Sequence, residues 1–290
     1  GYAGGSGTNP GTGNLVGHWK FDKGLGSCAA GHTDNGDGTC TKTFYPDAGT
    51  GGTTVDGDTQ QHHGSPVSFS TLRAGSGTQA DSNSATTVFG DMIETGGNTN
   101  TFSRMRRLFI LFDTSSLPDG ATIDNATFEF VATDKVNAFS GSISLVTSTP
   151  ASNTNIVAND FSQFGTIRQA DDITIASLTV DSSTFNVMTL NNIGLGNVNK
   201  AGITKFGLRS AFDVNNIAPT WAAYSKDNVK IASADTNLGA DKKPKLIVTY
   251  LLNKVVDSSG KGNIGTISGN RVECDTAGGY FSPGGDNVCW

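Results

Sequence analysis

The sequence has little charge and almost no glutamate, and both features argue against a hydrolase. Only 16% of its residues are charged, and its three glutamates, Glu94, Glu129 and Glu273, stand far apart along the chain. A glycosidase on a β-sandwich needs two carboxyl groups close together, and no predicted strand provides such a pair. The adjacent Asp171 and Asp172 would point to opposite faces of an extended strand. Because a Gly-x-Ser-x-Gly nucleophile motif is also absent from the sequence, we predict that the protein is not an enzyme.

Long apolar runs and a basic stripe are absent as well. The most apolar segments, Leu108–Phe112 and Leu246–Leu252, have the length of strands, whereas a membrane-spanning helix needs about 20 residues. The net charge is −6, and the one basic cluster consists of Arg104, Arg106 and Arg107. Binding to nucleic acid requires clustered Lys and Arg along a surface. We therefore predict neither a membrane span nor a nucleic-acid partner.

Turn-forming and strand-forming residues are abundant. The chain has 38 glycines and many Ser, Thr and Asn residues, which weaken helices and favour turns. Many short strands separated by turns indicate an all-β fold, an antiparallel β-sandwich or jelly roll. The predicted strands of the main domain are Phe69–Arg73, Thr87–Ile93, Arg107–Phe112, Ala126–Ala132, Ser142–Thr147, Ile173–Thr179, Phe185–Leu190, Lys205–Ser210, Asn228–Ala232 and Lys245–Tyr250. Short helices are predicted near Asn159–Phe164 and Asn191–Lys200.

The alternation of apolar residues along these strands predicts which side chains share the core. Alternate residues of a strand lie on the same face. The apolar sets assigned to one shared core are Phe109, Leu111, Phe128, Phe130, Leu208 and Ile247.

The four cysteines fall into two local pairs, Cys28 with Cys40 and Cys274 with Cys289. Four cysteines permit three connectivities, and we predict the local pairs because each brackets a Gly- and Asp-rich turn. Neither pair has the two-to-four-residue spacing of zinc ligands. Disulfides place the protein outside the cytosol, as a secreted or cell-surface protein. The chain begins at Gly1 rather than Met, which is typical of a processed or excised product.

Composition divides the chain into four segments. We predict a Gly-rich tail at 1–14, a small disulfide-closed β segment with a linker at 15–64, a jelly-roll β-sandwich at 65–252 and a C-terminal β/disulfide segment at 253–290. In the second segment, a strand is predicted at Leu15–Asp22 and a hairpin at Cys28–Thr43. Thr43–Gly64 is predicted as a connector.

Three stretches of the main domain resemble one known family. They are LFILFDTSSLPDGATI at Leu108–Ile123, FGLRS at Phe206–Ser210 and PKLIVTY at Pro244–Tyr250. Together they are similar to the DNRLRE family of secreted jelly-roll modules, which includes alginate-type carbohydrate-binding modules. The family's Ser-Arg-Glu segment before the closing strand is Tyr224-Ser225-Lys226-Asp227 in this chain. The resemblance implies a jelly roll over about Val67–Tyr250 and a polysaccharide as ligand.

The flanks resemble parts of a different sandwich. Leu15–Asp22 and Val256–Ile267 are similar to segments of laminin-G or concanavalin-like domains, as in large bacterial surface and appendage proteins. A sandwich that is incomplete has open strand edges, to which another subunit can add a strand. We therefore expect a non-enzymatic structural subunit of an extracellular assembly or filament, self-assembling with identical subunits. The alternative is a carbohydrate-binding adhesin module.

Several residues are candidates for these functions. Trp221 and Tyr224 are the candidate sugar-binding aromatics, because aromatic rings offer apolar area and C–H/π contact. Gly1, Tyr2 and Trp290 are the candidates for assembly. No cofactor is expected other than a structural calcium ion, for which the candidate ligands are Asp34, Asp37, Asp56, Asp58 and Asp81. For Asp34 and Asp37 at the hairpin tip, a plain Asx-type turn is favoured over calcium, because the calcium-loop spacing is absent.

Overall fold

The structure, a computed structural model, describes residues 28–48, 52–82, 87–251, 254–256, 264–268 and 271–274. Its strands are β1 (Thr33–Asp34), β2 (Thr39–Phe44), β3 (Asp56–Val67), β4 (Gln79–Asp81), β5 (Thr87–Thr95), β6 (Phe102–Asp113), β7 (Thr122–Phe130), β8 (Ala132–Asn137), β9 (Ser142–Ser148), β10 (Phe164–Arg168), β11 (Ile173–Thr174), β12 (Asn186–Thr189), β13 (Ile203–Ser210), β14 (Lys226–Ala232), β15 (Lys245–Leu251), β16 (Lys254–Val256), β17 (Ile264–Ser268) and β18 (Arg271–Cys274). Its helices are α1 (Phe69–Arg73), α2 (Asn192–Gly196) and α3 (Ala211–Asn215), with short 3₁₀ helices at Ala158–Ser162 and Ala240–Lys242. In this part of the chain, no helix has the length and apolar character needed to cross a membrane.

The strands form three sheets. A five-stranded sheet has the order β1-β2-β15-β7-β12, and a small sheet has the order β16-β17-β18. The ten-stranded sheet follows the path β10-β9-β13-β6-β5-β14-β8, while β3 pairs with β6 and β4, and β11 pairs with β9. Pairing is antiparallel around the central strand β6, with β13, β3 and β5 as its neighbours. The rings of Phe112 in β6 and Phe128 in β7 lie 6.3 Å apart, so sheet packs on sheet. The predicted all-β antiparallel sandwich is confirmed.

The chain divides into two compact units. One comprises Gly1–Lys42, Leu117–Asp124 and Thr249–Trp290, and the other comprises Thr43–Ser116 and Asn125–Val248. In the first unit, a disulfide joins Cys28 to Cys40 with an S–S distance of 1.98 Å, as predicted. His32 Nδ1 lies 2.7 Å from the hydroxyl of Tyr250.

The second unit, called the main unit below, begins earlier than the domain boundary predicted at residue 65. The predicted connector Thr43–Gly64 contains most of β3, which pairs along its length with β6. The sequence does not predict this strand, because its buried positions carry the polar residues Asp56, Asp58 and Gln60 instead of apolar ones.

The segment Phe69–Arg73 was predicted as a strand and is the helix α1. Ser68 caps it, since its hydroxyl oxygen accepts the backbone N–H of Thr71 at 3.2 Å. Phe69 and Leu72 lie three positions apart, on one side of a helix, and both pack into a core cluster with Phe102. The helices predicted near Asn159–Phe164 and Asn191–Lys200 are present as the 3₁₀ helix Ala158–Ser162 and as α2.

The apolar residues predicted to share one core occupy two faces of β6. Phe109 and Leu111 pack in a cluster with Val55, whereas Phe112, on the opposite face, meets Phe128. The prediction for the closing strand β15 was inverted. Leu246, Val248 and Tyr250 are fully buried, while Ile247 is half-buried. A large sheet covered on both faces leaves no polar face to set the register, so adjacent apolar residues of β6 were indistinguishable in sequence.

Candidate functional site: a charged face of the large sheet

Four neighbouring strands place polar residues in a row across the main unit. His62 of β3 pairs with Arg104 of β6, which in turn pairs with Glu94 of β5. Glu94 pairs with Lys226 at the start of β14. Since neighbouring strands lie about 4.8 Å apart, this row spans about 14 Å. We call the polar surface around it the charged face, which comprises Asp58, Gln60, Asp91, Glu94, Arg104, Arg106 and Lys226.

The charged face continues an apolar face of the same strand. In β6, Arg104 and Arg106 alternate in step with Leu108, Ile110 and Phe112, so all five lie on one side of the sheet. Leu108, Ile110 and Phe112 are fully buried, with Phe112 against the five-stranded sheet. The side chains of Arg104 and Arg106 are about a quarter exposed. One face of β6 is therefore half core and half accessible surface.

Ion pairs fix the side chains of the charged face. Arg104 Nη1 lies 2.6 Å from Asp91 Oδ2 and 3.5 Å from Glu94 Oε2. Lys226 Nζ lies 2.8 Å from Asp91 Oδ1. Partial burial alone would raise the pKa of Asp91, but the hydrogen bond from Lys226 and the charge of Arg104 lower it below its usual value. Asp91 is therefore a stable anion that connects Arg104 and Lys226, two members of the row.

Asp58 connects Arg106 to a strained part of β5. Its Oδ1 accepts from Arg106 Nη1 at 3.0 Å, and its Oδ2 accepts the backbone N–H of Phe89 at 3.0 Å. Phe89 and Gly90 both have positive φ, 79° and 91°, and a bulky residue adopts that conformation only when its surroundings enforce it. Burial raises the pKa of Asp58, although the neighbouring Arg106 opposes the shift.

Three buried polar atoms of the charged face have no hydrogen-bond partner in the described part of the chain. They are Gln60 Oε1, Arg104 Nε and Arg106 Nε. Gln60 is only 6% exposed and lies opposite Arg106 in the β3–β6 register. Folded proteins leave few buried polar groups without a partner, and each exception asks for an explanation. These three atoms have almost no accessible surface, so they lie beneath the exposed part of the face.

Of the two predicted sugar-binding aromatics, one is fully presented to solvent. Tyr224 and Trp221 lie in the loop before β14, next to Lys226 of the charged face. Tyr224 is 83% exposed, whereas Trp221 is half-buried. The indole Nε1 of Trp221 is buried without a partner among the described residues. The structure thus places Tyr224 beside the charged face, two residues before Lys226, and turns the polar edge of Trp221 inward.

The carboxylates predicted as calcium ligands are engaged by the protein itself. At the β1–β2 turn, Asp34 accepts the backbone N–H of Gly36 and Asp37 accepts that of Thr39, the bonds of the Asx-type turns favoured above. Asp58 accepts from Arg106, and Asp81 is its cross-strand neighbour. Within the described ranges, no three His, Cys, Asp or Glu side chains come together as a metal site.

Asp56 lies apart from the other carboxylates, on the apolar half of the face. It is opposite Ile110 in the register, and its Oδ2 accepts the backbone N–H of Ala234 at 2.8 Å. Burial raises the pKa of Asp56 to about 7.

Asp171 and Asp172, predicted to point to opposite faces, line one shallow cleft of about 370 Å³ with Val187 of β12. Neither aspartate lies in a strand, because β10 ends at Arg168 and β11 starts only at Ile173. Asp172 Oδ1 accepts from Ser144 Oγ and Arg168 Nε, at 2.7 and 2.8 Å. Asp172 is thus held by its neighbours.

The strongest charge cluster was missed by the sequence reasoning. Asp213 of α3 is fully buried, and its carboxylate accepts two hydrogen bonds each from Arg107 and Arg209, all between 2.7 and 2.8 Å. Arg73 Nε lies 3.2 Å away. Burial alone would raise the pKa of Asp213, but the charge of Arg107 and the hydrogen bonds from Arg209 and Arg107 lower it to about 2. The sequence did contain one indication of this cluster. Arg209 lies within the apolar segment Phe206–Ser210, and a charge buried there needs a partner.

The remaining predicted residues lie outside the described ranges. They are the assembly candidates Gly1, Tyr2 and Trp290, together with Leu15–Asp22 and Cys289. The bond of Cys274 to Cys289 stays a prediction.

Comparison of the sequence with known proteins gives no relative from which a function could be transferred. No protein-family model matches the chain, and no curated protein matches it significantly. The function must therefore be inferred from the chain's own residues.

Proposed function

We propose that the main unit is a non-enzymatic, extracellular glycan-binding module, and that its charged face binds a polysaccharide chain. This is the carbohydrate-binding alternative of the sequence reasoning. The Cys28–Cys40 disulfide supports the extracellular location, since such bonds persist in oxidising compartments.

The observation that carries the proposal is a row of charged side chains that are ordered by ion pairs and yet remain accessible. The side chains of Arg104, Arg106 and Glu94 are between about a quarter and a third exposed. A sugar hydroxyl both donates and accepts, so one ligand can donate to a carboxylate of this face and accept from a guanidinium nitrogen.

The arrangement of the charged face also favours binding over simple solvation. Arg104, Asp91 and Lys226 hold one another in fixed geometry through contacts of 2.6 and 2.8 Å. Side chains that are already ordered lose less conformational entropy when a ligand arrives. The row is long enough to contact several sugar units.

The proposal is tested by the binding of neutral and acidic polysaccharides to the full chain, measured by affinity electrophoresis and calorimetry. We expect at least one to bind, and Arg104→Ala to weaken that binding by about tenfold, because a hydrogen bond to a charged group contributes roughly 1.5–3 kcal/mol. Arg168→Ala is the matched control, since Arg168 is another part-exposed arginine with one carboxylate partner, Asp172. Absence of binding by the intact chain, or equal losses in both variants, would contradict the proposal.

The self-assembling subunit expected from the sequence depends on Gly1–Asn14 and on the flanks. These segments lie largely outside the described residues, so assembly stays a prediction. Deletion of Gly1–Gly13 should abolish it without affecting glycan binding.

A further inference from the structure

We propose that Thr95 and Gly97 are positioning residues that hold the ring of Tyr224 as a preset stacking surface for a pyranose ring at the end of the charged face. The inference rests on the proposed function and deepens it. It concerns two residues that do not contact the ligand themselves.

Tyr224 combines a left-handed backbone conformation with an exposed aromatic ring. Its backbone is in the left-handed region, with φ 49°, and its side chain is 83% exposed. A non-glycine residue in that region is strained, and such strain persists only where the surroundings enforce it. An exposed aromatic ring also forgoes the stabilisation that burial would give. Both features are explained if the ring is presented to a ligand.

Thr95 fixes the loop that carries Tyr224. Thr95 is 1% exposed and ends β5. Its hydroxyl donates to the carbonyl oxygens of Ala222 and Ser225 and lies 2.9 Å from the backbone N–H of Ser225, which donates to it. Its backbone N–H donates to the Ser225 carbonyl at 2.9 Å, and that of Tyr224 donates to Gly96 at 3.3 Å. These bonds lie on both sides of Tyr224, so they determine its backbone conformation.

Gly97 leaves room for the hydroxyl end of the Tyr224 ring. A Cβ at this position would stand 2.2 Å from Tyr224 Oη and 2.6 Å from Cζ. The hydroxyl end of the ring therefore lies directly over the glycine, and a side chain there would displace it. The absence of a side chain at Gly97 is thus needed for the position of Tyr224, independently of backbone freedom.

The position of the ring relative to the charged face suggests its ligand. Thr95 follows Glu94 in β5, and Tyr224 precedes Lys226 of β14 by two residues, while Glu94 and Lys226 are cross-strand partners. Tyr224 is therefore displaced from the row by two residues along the chain, about 7 Å, so a glycan that covers Lys226 reaches the ring with one further sugar unit. Aromatic rings stack on the apolar C–H face of a sugar ring, so the terminal position favours a pyranose unit with such a face.

The test compares Tyr224→Ala, Thr95→Val and Gly97→Ala in the full chain, using a polysaccharide that binds the wild type. We expect Tyr224→Ala to weaken binding by about tenfold, the effect of one stacked ring, and the other two variants to approach that loss although they retain the tyrosine. The matched control is Thr114→Val, because Thr114 is also buried and its hydroxyl also anchors a loop, at Asn199 and Gly202. It should bind as the wild type does.

A second readout reports the ring itself. The Tyr224 ring should shift the NMR signals of Gly97 in the wild type, and this ring-current shift should be reduced in Thr95→Val. If the wild type and Arg104→Ala behave as proposed but Tyr224→Ala or Thr95→Val binds normally, the inference fails while the proposed function stands. An unchanged ring-current shift in a weakly binding Thr95→Val would also overturn it. If the wild type binds no glycan, the proposed function itself fails.

Discussion

Strand β6 contributes to two charged regions on opposite faces of the sheet, the buried cluster around Asp213 and the charged face. Arg107 points into the protein, where it and Arg209 saturate the carboxylate of Asp213 with four hydrogen bonds. Its neighbour Arg106 points to the charged face, where its Nε has no partner within the described residues. Adjacent residues of a strand lie on opposite faces, so one step along the chain separates the two environments.

The comparison shows how a charge cluster that stabilises the fold differs from a charged surface that is accessible to a ligand. Burial is costly for a charge unless its partners are complete, and Asp213 meets that condition. On the charged face the ions are paired, but Gln60 and the guanidinium groups keep unused hydrogen-bonding atoms. The Asp213 cluster is buried and its carboxylate is fully hydrogen-bonded, whereas the arginines of the charged face stay about a quarter exposed.

The largest effect is expected where the saturated cluster is broken. Asp213→Ala leaves Arg107 and Arg209 buried without their anion, and removal of one partner from a buried ion pair costs roughly 3–5 kcal/mol. Urea unfolding would measure the loss in the free energy of unfolding. Asp172→Ala is the control, because its partner Arg168 is about a third exposed. A loss below about 1 kcal/mol in Asp213→Ala would show that the cluster is not structural.

Truncation of Phe128, which packs against the apolar half of this face of β6, should destabilise the protein almost as strongly. Phe128 is fully buried and meets both Phe112 and Phe130. Phe128→Ala should therefore lower the free energy of unfolding by roughly 3–5 kcal/mol, measured in the same urea titrations. A change below about 0.5 kcal/mol, typical of a surface site, would contradict the facing of β7 described above.

Asp56 should make stability fall as the pH rises. Its pKa is raised to about 7 in the folded protein, so the folded state holds the proton where the unfolded chain has lost it. The contribution is complete below the ordinary carboxyl pKa of about 3.9. It is lost as the pH rises through about 7, at up to roughly 1.4 kcal/mol per pH unit. Asp56→Asn, which keeps an oxygen for the N–H of Ala234, should remove this slope and stabilise the protein at pH 8.

The loss of stability at acid pH should come from the buried cluster of Asp213, Arg107 and Arg209. The pKa of Asp213 is lowered to about 2, so its stabilisation is present above the unfolded pKa and lost as the pH falls through about 2. Urea midpoints of wild type and Asp56→Asn between pH 2 and pH 8 test both pH effects. A wild-type profile that is flat between pH 4 and pH 7 would contradict the assignment of Asp56 as a buried neutral acid.

The smallest effect on stability is expected on the charged face itself. In Arg104→Ala, Asp91 retains Lys226 as a partner at 2.8 Å, and exposed ion pairs contribute about 0–1 kcal/mol. The free energy of unfolding should therefore change by less than about 1 kcal/mol. A larger loss would mean that the charged face, like Asp213, serves the fold.

Local features of the fold could be read from the sequence, while features that depend on distant pairing could not. The Asp-rich turn and the Cys28–Cys40 disulfide were predictable because their residues are close in the chain. Strand β3 was missed because its burial depends on β6, some 50 residues away, which supplies Arg106 as a partner for Asp58. Helix α1 was missed because its five residues, with only Phe69 and Leu72 apolar, resemble a short strand until Ser68 is recognised as the helix cap.

The candidate site was predictable only in part, for the same reason. Tyr224 was among the candidate ligand-binding residues, and loop exposure was predicted for Trp221 from its immediate neighbours, whereas in the structure Tyr224 is the more exposed of the two. The charged face was not identified, because Gln60, Arg104, Glu94 and Lys226 come from four strands that only the sheet brings together. The role of Thr95 in holding Tyr224 depends likewise on a pairing across 130 residues.

The central claim, that the charged face binds a glycan, is tested most directly by NMR titration of the full chain with an oligosaccharide of the polysaccharide that binds it. We predict that amide and side-chain shifts are confined to β3, β5 and β6 around Gln60, Glu94 and Arg104 and to the loop at Tyr224. Signals of the Asp213 cluster, on the opposite face of β6, should remain unchanged. Shifts centred on the cleft at Asp171, or spread evenly over the surface, would contradict the account.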